Sequence, residues 1–269
     1  MLSLDVVVSL VLLGSTVGFV AGLFGIGGGG IFVPVLTALF ISLDYSNQYV
    51  VHLALGTSMT TIVATSLSSM LAHRRNKNVD WQAVKAMVPV IILAAFLTTF
   101  IVSYVNTLSL SLFFTAFMAF VSFKMFKGGK ADAQQTQKQP AQIIPAAGIG
   151  IVSTLVAIGG GSLSVPYLVS RGFDIKKAIG TSAAIGFPLA LAGSLGYLLN
   201  GDSSTLSSQQ SSWIVGFVHL PSVLILSVCG FLTAPLGANM AQKLPIAILK
   251  KLFAVLLMLL SIKMLLTIW

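Results

Sequence analysis

Charged residues are scarce in this chain, and glutamate is missing altogether. Only 8% of the 269 residues are Asp, Glu, Lys or Arg, whereas ordinary soluble domains contain about 25%. The six carboxylates are all Asp, and they lie in loops, at segment ends or near the N-terminus. Cation and proton carriers commonly place Asp or Glu in the middle of the membrane. The sequence therefore disfavours a sodium or metal-cation carrier with a carboxylate site.

Cysteine and the common catalytic motifs are also nearly absent. Cys229 is the single cysteine, which excludes an intrachain disulfide. The chain has no HExxH motif and no GxSxG motif, so two common sets of catalytic residues are missing. We therefore predict that the protein is not an enzyme and that it holds no cofactor and no metal ion.

Hydrophobic residues make up 56% of the chain. Apolar stretches of about 20 residues, the length that spans a bilayer, recur throughout, and the alternating pattern of a membrane barrel is absent. This composition predicts an all-α polytopic membrane protein in a lipid bilayer. Each half contains five apolar segments, at 4–25, 31–43, 50–72, 81–104 and 107–126, and at 142–158, 163–170, 175–199, 213–234 and 246–268.

The two halves resemble each other in sequence. GIGGGGIFVP at 25–34 recurs as AIGGGSLSVP at 157–166, which is 132 residues later. Further matches pair Gly56-Thr57-Ser58 with Gly180-Thr181-Ser182, Trp81 with Trp213, Pro89 with Pro221, Phe114 with Phe253 and Lys124 with Lys263. We predict a duplication with transmembrane repeats at 1–126 and 142–269. The polar stretch 127–141 between them is predicted to be a flexible cytoplasmic linker.

The distribution of basic residues predicts how the chain crosses the membrane. Of the 15 Lys and Arg, 14 can be placed in the loops and adjoining segment ends of one side, with Lys263 the exception. Cytoplasmic loops collect Lys and Arg, so this side is predicted to be cytoplasmic, with both termini outside. Segments 50–72 and 175–199 then run in opposite directions, which makes the repeats inverted. The same placement explains the net charge of +9 without a nucleic-acid partner.

The glycine clusters are predicted to break two membrane helices. Glycine weakens a helix and proline cannot continue one from within. Segments 31–43 and 163–170 are too short to span, so they are predicted to be half-spanning or re-entrant. Pro34 and Pro166 suit the first turn of a new helix. The preceding glycines would then present free N–H groups and a positive dipole end, which suit an anion.

The candidate ligands come from both halves. They are Gly27, Gly28, Gly29, Gly30, Thr57, Ser58, Gly159, Gly160, Gly161, Ser162, Ser164, Thr181 and Ser182. Hydroxyls can donate to an oxyanion without carrying charge. Two plainer interpretations stay open, because small residues also permit close helix packing, and Ser and Thr often bond back to their own helix.

Three basic side chains have candidate accessory roles. His52 and His219 lie inside or near membrane segments and could exchange a proton coupled to the substrate. Alternatively, each is simply hydrogen-bonded or wetted at a helix end. Arg171 could attract anions from the cytoplasm, or it could mark a cytoplasmic loop in the ordinary way.

The duplicated Gly-Gly-Gly-x-x-x-Val-Pro element, followed each time by Gly-Thr-Ser, resembles the sulfite exporter TauE/SafE family. The resemblance extends from Gly14 to Ile268. It implies a prokaryotic-type permease of the cytoplasmic (inner) membrane for sulfur-containing oxyanions or organosulfonates, such as sulfite or sulfoacetate. It places Gly27 to Gly29, Pro34, Thr57 and Ser58, and their counterparts Gly159 to Gly161, Pro166, Thr181 and Ser182, in the family pattern. Because Gly30 stands where the other half has Ser162, the two half-sites should differ.

The sequence therefore predicts a secondary transporter that binds a small anion at mid-membrane, between two repeats that rock. Export is favoured, because moving one negative charge outward across an inside-negative potential of about 100 mV releases about 2.3 kcal/mol of free energy. A homo-oligomer is left open. Two other functions also remain, a non-transporting membrane scaffold or assembly factor and a metal-cation permease.

Overall fold

The protein is mostly helical in this computed structural model, which describes residues 3–25, 27–45, 48–126, 143–201, 213–241, 243 and 246–268. Within those ranges the chain forms ten helices and one two-stranded hairpin. In chain order they are α1 (Leu4–Phe24), α2 (Gly29–Ser42), α3 (Val50–Arg75), α4 (Trp81–Val102), α5 (Thr107–Phe126), α6 (Ile143–Leu155), α7 (Gly161–Ser170), α8 (Ile175–Asn200), β1 (Ile214–Val215), β2 (Val218–His219), α9 (Leu220–Ala241) and α10 (Ile246–Ile268). The predicted linker 127–141 lies outside the described residues.

Five helices are long and apolar enough to cross a membrane, judged by length and composition within the described ranges: α1, α3, α4, α8 and α9. The prediction of an all-α polytopic membrane protein is confirmed. The two longest, α3 and α8, are mostly buried, whereas less than half of the span of α1, α4 or α9 is buried. Many large apolar side chains of the outer helices are exposed, among them Leu93 and Ile101 of α4 and Leu232 of α9, as a lipid-facing surface requires.

Helix packing joins the two halves rather than separating them. The central helices α3 and α8 pack on each other, as do α5 and α10. The first helix of each half packs against the fourth helix of the other, α1 on α9 and α6 on α4. In the same way α9 packs on α3, and α4 packs on α8. Exchanging the halves therefore reproduces the main helix contacts.

Individual hydrogen bonds repeat in the same way. The Nε2 atom of His73, at the end of α3, donates to the carbonyl oxygen of Gly22 on α1 at 3.3 Å. At the corresponding place in the other half, the hydroxyl of Tyr197 on α8 donates to the carbonyl oxygen of Thr154 on α6 at 3.0 Å. Each central helix is thus tied near its C-terminal end to the first helix of its own half.

The hairpin shifts which residues of the second half correspond to those of the first half. Helix α4 begins at Trp81, whereas Trp213 precedes β1 and α9 begins only at Leu220. Strands β1 and β2 pair antiparallel, with Ile214 opposite His219, and they lengthen the connection after α8. The predicted pairs Trp81 with Trp213 and Pro89 with Pro221 are therefore wrong as structural equivalents. The predicted membrane segment 213–234 likewise starts too early.

Candidate functional site

Each glycine cluster ends one helix and begins another. Gly25 closes α1 in the left-handed region at φ 67°, and its N–H donates to the carbonyl oxygen of Ala21 at 2.9 Å. Ala157 has φ 46° after α6. The residues before the new helices, Gly28 and Gly160, have φ values of 91° and 80°. L side chains avoid these angles, so glycine is favoured at both starts.

The two breaks touch each other in the interior of the protein. A Cβ placed on Gly27 would lie 3.0 Å from Cα of Gly159, and one placed on Gly29 would overlap the carbonyl of Ala157. A Cβ on Gly186 of α8 would overlap the carbonyl oxygen of Gly159. Backbone therefore contacts backbone here, at a place which we call the glycine crossing (residues 25, 27–29 and 157–160). All of these residues are buried.

The prolines lie further along their helices than the sequence predicted. Pro34 is the sixth residue of α2 and Pro166 the sixth of α7, so both are in the second turn and the first-turn prediction is wrong. A proline has no N–H, so the carbonyl groups four residues earlier, of Gly30 and Ser162, lack a helical donor. The first N–H groups of α2 and α7 also lack intrahelical acceptors, and no side chain caps either start.

Buried hydroxyls accompany the two helix starts. Ser164 is fully buried, and its Oγ atom lies 3.4 Å from the position that a Cβ on Gly160 would take. Within the described part of the chain, the hydroxyls of Ser58, Ser162 and Ser164 have no hydrogen-bond partner. Ser182 donates to the carbonyl oxygen of Gly25 at 3.3 Å. The helix starts therefore come with hydroxyl groups whose bonding capacity is unused.

Each Gly-Thr pair contacts a short segment of the other half of the chain. The N–H of His219 donates to Thr57 Oγ1 at 3.0 Å, and the N–H of Asp80 donates to Thr181 Oγ1 at 2.9 Å. One residue earlier, a Cβ on Gly56 or Gly180 would overlap the carbonyl oxygens of Phe217 and Asn78, respectively. Each pair thus docks the segment that precedes the fourth helix of the other half. We call these contacts the first dock (Gly56–Thr57) and the second dock (Gly180–Thr181).

Some predicted site residues lie away from the crossing. A Cβ on Gly30 would meet Met118 Cε of α5 at 2.6 Å, so this glycine faces neighbouring helices instead. Arg171 lies at the end of α7, with its guanidinium 5.5 Å from the centre of the Tyr167 ring. It joins neither the crossing nor the docks, and an anion-attracting role for it stays a prediction.

The two predicted histidines cluster around the hairpin instead. His52 Nε2 donates to the carbonyl oxygen of Val102 at 3.1 Å, and its ring centre lies 5.1 Å from that of Phe217. His219 Nδ1 lies 2.7 Å from Ser222 Oγ. Burial lowers the pKa of His219, which lies in the hairpin outside the spanning helices, to about 4. This imidazole is therefore neutral at pH 7, and proton coupling through either histidine stays a prediction.

Sequence reasoning missed several contacts at the crossing. Thr65 Oγ1 donates to the carbonyl oxygen of Gly27 at 2.9 Å, and Ile62 Cγ2 lies 2.7 Å from the Cβ position of that glycine. Gly186 faces the second break. Ile62 and Thr65 follow Ser58 by four and seven residues, and Gly186 follows Ser182 by four. Such spacings place residues on one helix face, and that signal could have identified all three.

Known proteins support the assignment of this chain as a membrane transporter. It is 36% identical over 255 residues to a probable membrane transporter protein of Haemophilus influenzae, covering 94% of this chain and 96% of the relative. It is 26% identical to a probable membrane transporter protein of Methanocaldococcus jannaschii, with 87% and 86% covered. A probable membrane transporter protein of Bacillus subtilis is 30% identical, with 72% and 79% covered.

No solved structure matches the chain. The family profile described as "Sulfite exporter TauE/SafE" matches residues 10–264, which is nearly the whole sequence and includes both glycine clusters and both docks. The protein is therefore an integral membrane transporter that belongs to the sulfite exporter TauE/SafE family.

Proposed function

We propose that the protein is a secondary transporter, and not an enzyme, that exports a small sulfur-containing oxyanion or organosulfonate such as sulfite or sulfoacetate. One observation carries this proposal. The glycine breaks that lead into two uncapped helices touch each other in the protein interior, and the buried hydroxyls of Ser162 and Ser164, which have no partner among the described residues, lie in the first turn of α7. Helix N-termini attract anions through their free N–H groups and dipoles.

The chemistry of the crossing suits a sulfo or sulfite group. Such a group offers three oxygen acceptors, and the crossing offers N–H donors from two helices together with the hydroxyls of Ser58, Ser162 and Ser164. Among the described residues, the buried titratable side chains are three histidines and Tyr197. Backbone dipoles and hydroxyls would therefore balance the ligand's charge in place of a cationic side chain. Preorganised dipoles act strongly in such a water-poor interior.

The proposal includes two repeats of opposite orientation, with both termini outside the cytoplasmic membrane. Equivalent helices run antiparallel where they meet, which supports it. On α3 and α8, Thr60 Oγ1 lies 2.8 Å from Ser194 Oγ, while Ser66 Cβ lies 3.8 Å from the Cβ position of Gly186. The contact residue number rises on one helix as it falls on the other. Repeats related in this way can rock around a central site.

A second antiparallel pair supports the same orientation. Ser122 Oγ on α5 donates to the carbonyl oxygen of Ala254 on α10 at 2.7 Å. Ser261 Oγ on α10 donates to the carbonyl oxygen of Thr115 on α5 at 3.0 Å. Exchanging the two halves converts each of these bonds into the other. Such an exchange requires a two-fold axis that lies across the helices and reverses their direction.

Flux from proteoliposomes tests the proposal. Purified protein would be reconstituted in vesicles loaded with sulfite, sulfoacetate, isethionate, taurine, sulfate or chloride, and a potential negative on the loaded side would be imposed. We expect release of at least one sulfur anion, accelerated by the potential. About 100 mV supplies about 2.3 kcal/mol per charge. Absence of release for every sulfur anion, from vesicles whose protein is correctly folded, would refute the assignment.

Thermal stability separates the proposal from its two alternatives. A ligand at about 100 times its Kd stabilises the folded state by about 2.7 kcal/mol, so a transported sulfur anion should raise the Tm of the purified protein. A scaffold or assembly factor predicts that none of the anions changes the Tm and that no flux occurs. A metal-cation permease predicts a Tm shift and flux with divalent cations instead.

A further inference from the structure

A row of polar side chains follows one face of α3. Ser58, Ile62, Thr65, Ser69 and His73 succeed one another at spacings of three or four residues, which places them on one side of the helix. That side faces the end of α1 and the first glycine break. Ile62 and Thr65 contact Gly27, and His73 bonds to Gly22. Ser69 lies one turn from Thr65 and one turn from His73, between those contacts.

Several atoms in this row are buried without a partner. The hydroxyls of Ser58 and Ser69 have no hydrogen bond within the described residues, and these side chains are 0% and 1% exposed. His73, which is 2% exposed, also leaves Nδ1 unpartnered. Its Nε2 faces a carbonyl oxygen and must carry the hydrogen, so Nδ1 is a free acceptor. Unpaired buried polar atoms are costly in a static interior, which points to water or a ligand at some stage of the cycle.

The equivalent face of α8 is less polar, and its two hydroxyls, of Ser182 and Tyr197, are already bonded to carbonyl oxygens. The positions that correspond to Ile62, Thr65 and Ser69, each 124 residues later in the chain, are Gly186, Leu189 and Gly193. Gly193 packs against Met59, whose Cε lies 2.8 Å from the glycine's Cβ position. Tyr197 then ends the row and is bonded to Thr154. The two halves have the same helix arrangement, but among the described residues α8 itself has no buried hydroxyl without a partner, whereas α3 has two.

We propose that this face of α3 is a hydrophilic half-pathway, through which a small hydrated anion passes between the glycine crossing and the end of α3 that carries Arg74 and Arg75. This inference deepens the proposed function and rests on it. Serine hydroxyls replace part of the anion's hydration shell, and the two arginines concentrate anions at the entrance. The α8 face, lined by Gly186, Leu189 and Gly193, supplies no such donors.

Cysteine accessibility tests the pathway, and the sequence is well suited to it because Cys229 is the single cysteine. In a Cys229→Ala background, Ser69→Cys is compared with Ser68→Cys. Ser68 lies at the same depth but donates to the carbonyl oxygen of Phe231 on α9 at 2.6 Å, so it faces away from the row. The probe is a membrane-impermeant methanethiosulfonate that carries an ethylsulfonate group. It is added to inside-out and to right-side-out vesicles.

We expect complete modification of Ser69→Cys in inside-out vesicles, with sulfoacetate slowing it, and no modification of Ser68→Cys over the same time. Ser58→Cys serves as a second reporter if Ser69→Cys does not reach the membrane. Equal modification at positions 68 and 69, or none at positions 58 and 69 in folded protein that has reached the membrane, would overturn the pathway. Modification at position 69 in a protein that moves no sulfur anion would retain the pathway and reject the proposed substrate class.

Discussion

A single methyl group at Gly160 should separate a binding role of the glycines from a packing role. In Gly160→Ala the added Cβ would meet Ser164 Oγ at 3.4 Å and Leu189 Cδ1 at 3.5 Å, so the space almost accommodates it. The left-handed φ of 80° costs an L residue about 1–2 kcal/mol, and the methyl would lie against the unpaired hydroxyl of Ser164. We expect the variant to reach the membrane and to lose most of its sulfur-anion flux.

The matched control for that change is Gly148→Ala. Gly148 lies inside α6 with nothing within 4 Å of its Cβ position. Alanine there should preserve flux and stabilise the protein by up to about 1 kcal/mol, since glycine is a poor helix former. Flux and protein content are measured in the same proteoliposomes. Wild-type flux in Gly160→Ala would show that the backbone at this helix start does not bind the substrate.

Ser164→Ala gives a second measurement at the residue scale. Because its hydroxyl is buried without a partner in the described structure, removing it should leave the Tm unchanged or raise it. A hydrogen bond to a charged ligand is worth about 1.5–3 kcal/mol, so affinity for the sulfur anion should fall about tenfold to a hundredfold. Ligand titrations followed by thermal shift measure both effects.

Ser170→Ala is the control for that serine, because its hydroxyl already donates to the carbonyl oxygen of Tyr167 at 2.7 Å on an exposed part of α7. We expect unchanged affinity in this variant. If Ser164→Ala also binds the ligand with unchanged affinity, the hydroxyl beside Gly160 is not a ligand of the anion.

At the scale of helices and their connections, the first dock (Gly56–Thr57) should contribute measurably to stability. Thr57→Val keeps the shape of the side chain but leaves the buried N–H of His219 without its acceptor. An unpaired buried donor costs about 1–3 kcal/mol, so the Tm should fall. Thr57→Ser, which restores the oxygen, should recover most of the loss. Equal Tm values for Thr57→Val and the wild type would show that the dock carries no stability.

Local sequence signals predicted most of the helices and both breaks, because long apolar runs and glycine clusters determine the backbone conformation of the residues that carry them. The register of α9 could not be obtained in this way, since the hairpin that ends at His219 shifts it. A site shared by the two glycine clusters was predicted, but the direct contact of Gly27 with Gly159 was not. It depends on how the faces of α3 and α8 bring distant segments together. The partners of Thr57 and Thr181 lie in the opposite half and carry no local signal.

For the molecule as a whole, the proposed orientation can be measured with reporters fused after Trp269. Both termini are predicted to lie outside, because the basic loops collect on the cytoplasmic side. We therefore expect alkaline phosphatase at the C-terminus to be active and green fluorescent protein at the same place to be dark. The same two reporters placed after Lys77, in the loop following Arg74 and Arg75, should give the opposite pattern. A fluorescent C-terminal fusion would show that the chain has the opposite orientation to the proposed one.

The cross-packing of first and fourth helices has a consequence for biosynthesis. Helix α1 leaves the ribosome long before its main partner α9, because seven other helices lie between them in the chain. Neither half can complete its own packing, because α6 likewise needs α4 from the other half. Two polypeptides separated within residues 127–142 should therefore be degraded when made singly and should complement each other when made together. The nascent N-terminal half would remain a chaperone or protease substrate until translation is nearly finished.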